Sequence, residues 1–231
     1  MSGRPRLALL DASHDNANTR RDFRRELAAD LVEFPLVAEQ YPTTFDVDGV
    51  VISGSKSSVY WDEPWLEPTR EWLGTAIDRG IPALGVCFGH QLLADLLGGT
   101  VEGMEEFELG YREVRKTASS PILADLDERF SVFLSHQDVV TEPPAAATVI
   151  AENDYGIQGF QHEHVFGVQS HPEYDSTTAR GTARSKEGKV PPAQLEAVLD
   201  GITEEAAAAA APSKTIFDRF VRYVQREGPS G

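Results

Sequence analysis

The sequence predicts a doubly wound α/β fold, a mostly parallel sheet with added antiparallel strands. Three observations carry this expectation. The first hundred residues alternate short apolar runs with longer stretches of helical period, the pattern of successive βα units. From about residue 108 the hydrophobic period shifts toward two, as in strands joined by short turns. The chain closes on KTIFDRFVRYVQREG, whose Ile216, Phe217, Phe220, Val221 and Val224 share one helical face.

RLALLD (6–11) is the first expected strand, followed by a helix over 18–31 with Asn18 as its N-cap. DVDGVVISG (46–54) is the second strand and runs into a small polar loop. The segment 63–80 is helical in its second part, with Trp65, Trp72, Leu73 and Ile77 as its apolar stripe and Gly80 as its stop. IPALGV (81–86) is a buried strand. FGHQLLADLLGG (88–99) is a helix with Leu92, Leu93, Leu96 and Leu97 on one face and Gly98 at its end. GYREVRKT, FSVFLSH, TVIAEN, GIQGFQH and VFGVQSH follow as strands. The whole chain, 1–231, is expected to form one domain carrying a polar and Ala-rich helical insertion at about 175–213. Within it, STTARGTARSKEGK is small, polar and expected to bury little. Leu195, Val198, Leu199 and Ile202 form a short stripe, suited either to a flap at the active-site mouth or to a partner, with a solvated excursion as the alternative. The alanine run from Ala206 to Ala211 is helix-forming, with Pro212 as its stop.

The composition excludes several classes of protein. One cysteine cannot form an internal disulfide, and Leu7 to Leu10 is too short for a signal peptide's apolar region. No stretch approaches the ~20 apolar residues of a membrane span. A cytoplasmic protein is expected. The net charge of -16 disfavours nucleic acid and anionic membranes as partners. Only five of the 21 basic residues are lysine, and this acidic, lysine-poor balance resembles cytoplasmic proteins of salt-loving microbes. Concentrated salt screens such self-repulsion. Melting temperature is therefore expected to rise across a potassium chloride series; full stability in dilute buffer with no gain on adding salt would refute this.

The lone Cys87 lies in Gly85-Val86-Cys87-Phe88-Gly89, between a strand and a helix. That is the setting of a nucleophile elbow, where a sharp turn presents the nucleophile above the sheet. The helix N-terminus favours thiolate, and its N–H groups can stabilise an oxyanion. A thiolate needs a base and the base an orienting group. VFGVQSHPEY supplies His171 and Glu173, two residues apart on extended chain and so directed to one side.

G-x-C-x-G-H-Q followed by G-V-Q-x-H-P-E resembles the class I glutamine amidotransferases, a flavodoxin-like family with a Cys-His-Glu triad. VVISGS (50–55), ELGYREV (108–114) and LSHQD (134–138) extend the likeness in the family's order. The resemblance implies Cys87 as nucleophile, His171 as base and Glu173 as its partner. It implies Gly54 and Phe88 as oxyanion donors, and Gln91, Ser135, His136, Gln137 and Asp138 as substrate contacts. No cofactor and no metal are implied. The sequence departs from the family where the oxyanion loop is S-G-S, and where about forty residues separate Glu173 from the closing helix.

The implied activity is glutamine hydrolysis through a γ-glutamyl thioester, releasing ammonia. Neither a Walker-type phosphate loop nor an S-G-G-x-D loop occurs. The ammonia is thus expected to serve a separate ATP-dependent synthetase subunit, by analogy with the glutaminase subunit of guanylate (GMP) synthase. A stand-alone γ-glutamyl peptidase with the same triad is the alternative. His162 and His164 alternate as metal ligands can, but lack a third ligand at convincing spacing and sit in an expected hairpin turn. His14 follows the first strand as a solvated loop residue. Trp65 is expected in the core, while Tyr60 fits either core packing or a substrate-side lid.

Overall fold

The computed structural model describes residues 3–14 and 17–228. The first βα unit is β1 (Arg6–Asp11), α1 (Ala17–Glu26) and β2 (Asp30–Pro35). Next come β3 (Gly49–Ile52), α2 (Leu66–Asp78), β4 (Ala83–Val86) and α3 (Phe88–Leu96). The strands β5 (Thr100–Lys116), β6 (Arg129–Glu142), β7 (Thr148–Asn153), β8 (Gly156–His162) and β9 (Val165–Val168) follow without an intervening α-helix. Helices α4 (Ser176–Arg184), α5 (Pro192–Gly201), α6 (Glu204–Ala210) and α7 (Thr215–Glu227) complete the chain.

All nine strands form one sheet in the order β2-β1-β3-β4-β9-β8-β7-β5-β6. The neighbours from β2 to β9 pair parallel, and those from β9 to β6 pair antiparallel. The expected doubly wound sheet with antiparallel additions is therefore present. Alternate residues of the short parallel strands face opposite layers. Leu7, Leu9, Val51, Leu84 and Phe166 pack with Phe23 of α1 and Phe217 and Phe220 of α7. Ala8, Leu10, Val50, Ile52 and Val165 pack with Leu73 and Ile77 of α2 and Leu92 and Leu93 of α3. A parallel sheet covered on both faces explains why these strands are apolar runs rather than alternating ones.

The structure corrects four of the local expectations. The helix expected over 18–31 ends at Glu26, because Asp30–Pro35 pairs in register with β1 as the edge strand β2. Asn18 lies inside α1 rather than at its cap. The strand expected near 108 begins at Thr100, with an irregularity between Gly103 and Glu108 that keeps β5 paired to β6 on both sides. Residues 176–184, expected to bury little, form α4. Its Asp175 cap accepts from the Thr178 N–H, and its Ala179 and Ala183 are fully buried. Those small side chains let α4 sit close over Leu109 and Phe133, where Val198 of α5 and Ile202 just after it join them. Arg180 ties the two helices by donating to the Leu199 and Ile202 carbonyls. Pro212 ends α6 as expected, but the chain passes through a 3-10 turn, Ala211–Lys214, straight into α7. Among the described residues no helix is long and apolar enough to cross a membrane.

Candidate active site

Strands β4 and β9 are parallel neighbours, with Val86 paired to Val168. Residues just beyond their C-terminal ends therefore emerge side by side, the usual location of ligand sites in open α/β sheets. Cys87 follows β4, and its N–H donates to the Val168 carbonyl at 2.9 Å. Its backbone, at φ 53° and ψ −105°, is an unusual conformation for a non-glycine residue. Such strain persists only where the surroundings over-determine it. Here they do. A Cβ on Gly85 would lie 2.2 Å from the Gly89 carbonyl oxygen, and one on Gly89 would lie 2.5 Å from the Ile52 carbonyl oxygen. The two flanking glycines thus let α3 press onto β3 and β4, forcing the turn at Cys87.

His171 is reached from β9 through Gln169 and Ser170, and its N–H donates to the Phe133 carbonyl at 2.9 Å. Its Nδ1 meets Glu173 Oε1 at 2.8 Å, and the ring stacks on Tyr174 with centroids 4.2 Å apart. Cys87 acts on the same ring electrostatically. Burial, the largest influence, disfavours charge on His171. Glu173 and Cys87 outweigh it and push the imidazole up to about 10. At neutral pH this favours the protonated ring, held by Glu173. Glu173 is itself buried, and its Oε2 has no hydrogen-bond partner, so the ring is its main compensation. Arg25 of α1 donates to the Glu173 carbonyl at 2.5 Å and to Asp175 at 3.0 Å, anchoring the segment that carries the carboxylate.

Gly54 lies directly over this pair: a Cβ there would come 2.8 Å from His171 Cε1 and 3.6 Å from Cys87 Cβ. Phe88 opens α3, so its N–H belongs to the free helix terminus beside the sulfur. A cavity of about 550 Å³ opens above Cys87, bordered by Gln91, Ser135, His136, Gln137 and Asp138. Gln91 Nε2 donates to the Asp138 carbonyl at 2.8 Å and to Gln169 Oε1 at 3.0 Å. The His136 ring is engaged on both nitrogens, by the Asp138 carbonyl and by Glu108 Oε2 at 2.7 Å. The Asp138 carboxylate is held by the hydroxyls of Ser58 and Tyr60. Tyr60 and Trp61 are half exposed at the cavity edge, whereas Trp65 is buried. His14 meets Ser57 Oγ at 2.9 Å behind the loop after β3. His164 meets the Ile77 carbonyl at 3.0 Å, and the described residues contain no cluster of three metal-ligating side chains.

Sequence reasoning missed Glu108. It is fully buried and takes hydrogen bonds from His136, Asn153 and Gln158, steadying the strand that borders the cavity. It also missed Lys56, Lys186 and Lys189 on the cavity wall. The signal for those lysines was their scarcity in the chain.

His90, in the first turn of α3, is fully buried against Phe160 and Gly167. Burial, helped by neighbouring His136, pushes it down to about 3. The unfolded chain then binds a proton between pH 6.5 and 3 that the folded chain refuses, so stability falls as pH drops through that window. The slope is up to about 1.4 kcal/mol per pH unit. His171 has the opposite shift, so its contribution is lost as pH rises above 6.5, outside the acid window. Melting curves at pH 7, 5.5 and 4.5 should show the acid loss, and His90→Asn should flatten it. An unchanged slope in the variant would exclude His90 as its source.

Residues 13–187 match the family described as glutamine amidotransferase class-I. The GMP synthase [glutamine-hydrolyzing] of Vibrio vulnificus is 38% identical over 136 residues, covering 58% of this chain and 25% of that protein. That of Azoarcus sp. is 33% identical over 152 residues, covering 61% and 28%. The chain thus spans about a quarter of the length of the curated relatives it matches. Two solved structures share the fold. A glutamine amidotransferase from Thermotoga maritima has a TM-score of 0.80 at 20% identity, covering 95% of this chain and 99% of that one. A glutamine amido transferase from Methylobacillus flagellatus has a TM-score of 0.79 at 20% identity, covering 100% and 99%.

Proposed function

The chain belongs to the class I glutamine amidotransferase family, and on that premise we propose that Cys87 is the nucleophile of its glutaminase reaction, serving a synthetase of the GMP synthase type. The observation that carries this reading is the strained Cys87 turn closed by the buried His171–Glu173 pair. The Cys87 thiolate attacks the side-chain carboxamide carbon of glutamine. The oxyanion formed takes N–H hydrogen bonds from Gly54 and Phe88. His171, already protonated, gives its proton to the departing nitrogen, and ammonia leaves as the thioester forms. Water then adds to the thioester as His171 accepts its proton. Collapse releases glutamate and restores the thiolate.

Glu173 holds the imidazole in orientation and favours its charge. Glu173→Gln is therefore expected to cost about 10- to 100-fold in kcat, less than His171→Ala, because an amide still accepts the Nδ1–H. It should also move the alkaline limb of the kcat/KM profile toward neutral pH. A Glu173→Gln variant worse than His171→Ala would refute the orienting role.

The partner is tested by mixing the chain with a GMP synthetase subunit that lacks a glutaminase. Glutamine should support GMP formation only when both chains are present, with ammonia able to replace the glutaminase. GMP formation that stays dependent on added ammonia, while the chain hydrolyses γ-glutamyl dipeptides freely, would overturn the synthetase reading.

A further inference from the structure

The protein carries 37 acidic residues and only five lysines. Two of those lysines are engaged away from the site: Lys214 pairs with Glu26, and Lys116 donates to the Leu123 and Leu126 carbonyls. The other three, Lys56, Lys186 and Lys189, border the cavity above Cys87. Lys56 comes from the loop after β3, while Lys186 and Lys189 come from the turn between α4 and α5. Among the described residues, none of the three pairs with a carboxylate.

Lys186 is the most enclosed of them. Its ammonium lies over the Phe107 ring, 4.9 Å from the ring centre. It also borders the smaller recess shared by Gly54, His171 and Glu173. Burial pushes its ammonium below the usual lysine range; Cys87 opposes this, and Lys189 and Lys56 add to it. Lys186 is half-buried without a paired carboxylate, so a ligand's negative charge would offset its burial, while Lys56 and Lys189 stand exposed at the rim and add to the local positive potential. The α4–α5 unit is held rigidly enough to present them. Its alanines are buried on Leu109 and Phe133, and Gln194 donates to the Phe107 carbonyl at 3.2 Å. Asp138 borders the same cavity, its carboxylate held by Ser58 and Tyr60.

We propose that Lys186, with Lys56 and Lys189, forms a carboxylate-binding wall that positions the substrate over Cys87. This rests on the glutaminase reading and deepens it. The carboxylate has two sources, the α-carboxylate of the glutamyl moiety or a carboxylate on the amine attached to its γ-carbonyl. Both present the same chemistry to the lysines.

The test is Lys186→Met/Lys189→Met, which keeps an unbranched apolar stem at each position, including that of Lys186 beside Phe107, and removes the charge. Steady-state kinetics are measured on two matched pairs, glutamine against its neutral α-amide, and γ-glutamylglycine against γ-glutamyl methylamide. The proposal expects KM to rise tenfold or more for the charged member of one pair, its neutral counterpart moving less than twofold and kcat less than KM. The pair that responds identifies the source. Lys186→Arg/Lys189→Arg should recover most of the lost affinity. Calorimetric binding of glutamate to the wild type and the Met variant measures the same wall without turnover, and Kd should rise in parallel. Charged and neutral substrates affected alike, or an unchanged glutamate Kd in a variant that melts normally, would overturn the proposal. A wild-type protein that binds glutamate through these lysines yet hydrolyses none of the four compounds would remove the glutaminase reading alone.

Discussion

Cys87→Ala is expected to lower ammonia release from glutamine at least about a thousandfold, since residues of a catalytic unit fail together when one is removed. His171→Ala should match it, and the double variant should be little worse than either. The fold should survive, because alanine keeps the Cβ that the turn already accommodates and removes one buried sulfur. A Cys87→Ala protein that keeps more than a few per cent of activity would remove Cys87 from the mechanism. The substitution also separates two sources of charge on His171. With no thiolate opposite, the ring retains only Glu173 as an anionic neighbour, so its proton should leave at lower pH than in the native protein. Titration of the His171 ring resonances in both proteins reads this directly. An unchanged titration would mean that the sulfur carries no negative charge in the resting state.

Gly85→Ala is expected to be the most damaging small substitution for stability. The added methyl would lie 2.2 Å from the Gly89 carbonyl oxygen and 2.6 Å from the His90 nitrogen. These are backbone atoms of the first turn of α3, and none can swing aside as a side-chain tip would. Relief requires α3 to lift from β4, which opens contacts at Leu92 and Leu93. Loss of about 3 kcal/mol or more follows from overpacking of this kind. At two to four degrees per kcal/mol for a chain of this size, the melting temperature should drop by about 6–12 °C. Activity should fall further than folded fraction alone explains, because Cys87 loses the turn that aims it. Gly181→Ala, where the structure leaves open space, is the control and should be nearly neutral. A Gly85→Ala protein that melts with the wild type would show that the turn relaxes elsewhere.

The sequence by itself determined what depends on neighbours along the chain. The elbow is local, because glycines two residues either side of Cys87, at a strand–helix join, suffice to suggest it. The His171–Glu173 pair is local too, because residues two apart on extended chain point the same way. The apolar stripe of α7 was legible for the same reason, and Ile216, Phe217, Phe220, Val221 and Val224 are all buried.

What tertiary structure decided are the non-local choices. DLVEFP carries no strong strand period and continues a plausible helix. It becomes β2 because the free edge of β1 offers it a parallel partner. STTARGTAR looked like a solvated loop because its apolar side chains are only methyl groups. Their small size is what lets α4 approach Leu109 and Phe133 closely. Cys87 and His171 are 84 positions apart in the chain. Their meeting depends on β9 choosing the open edge of β4, a pairing that no local pattern encodes. The three cavity lysines were visible only as a count. That they face one cavity follows from α4 and α5 folding back over the sheet, since the position of a charge in space is set by packing far along the chain and not by its neighbours in sequence.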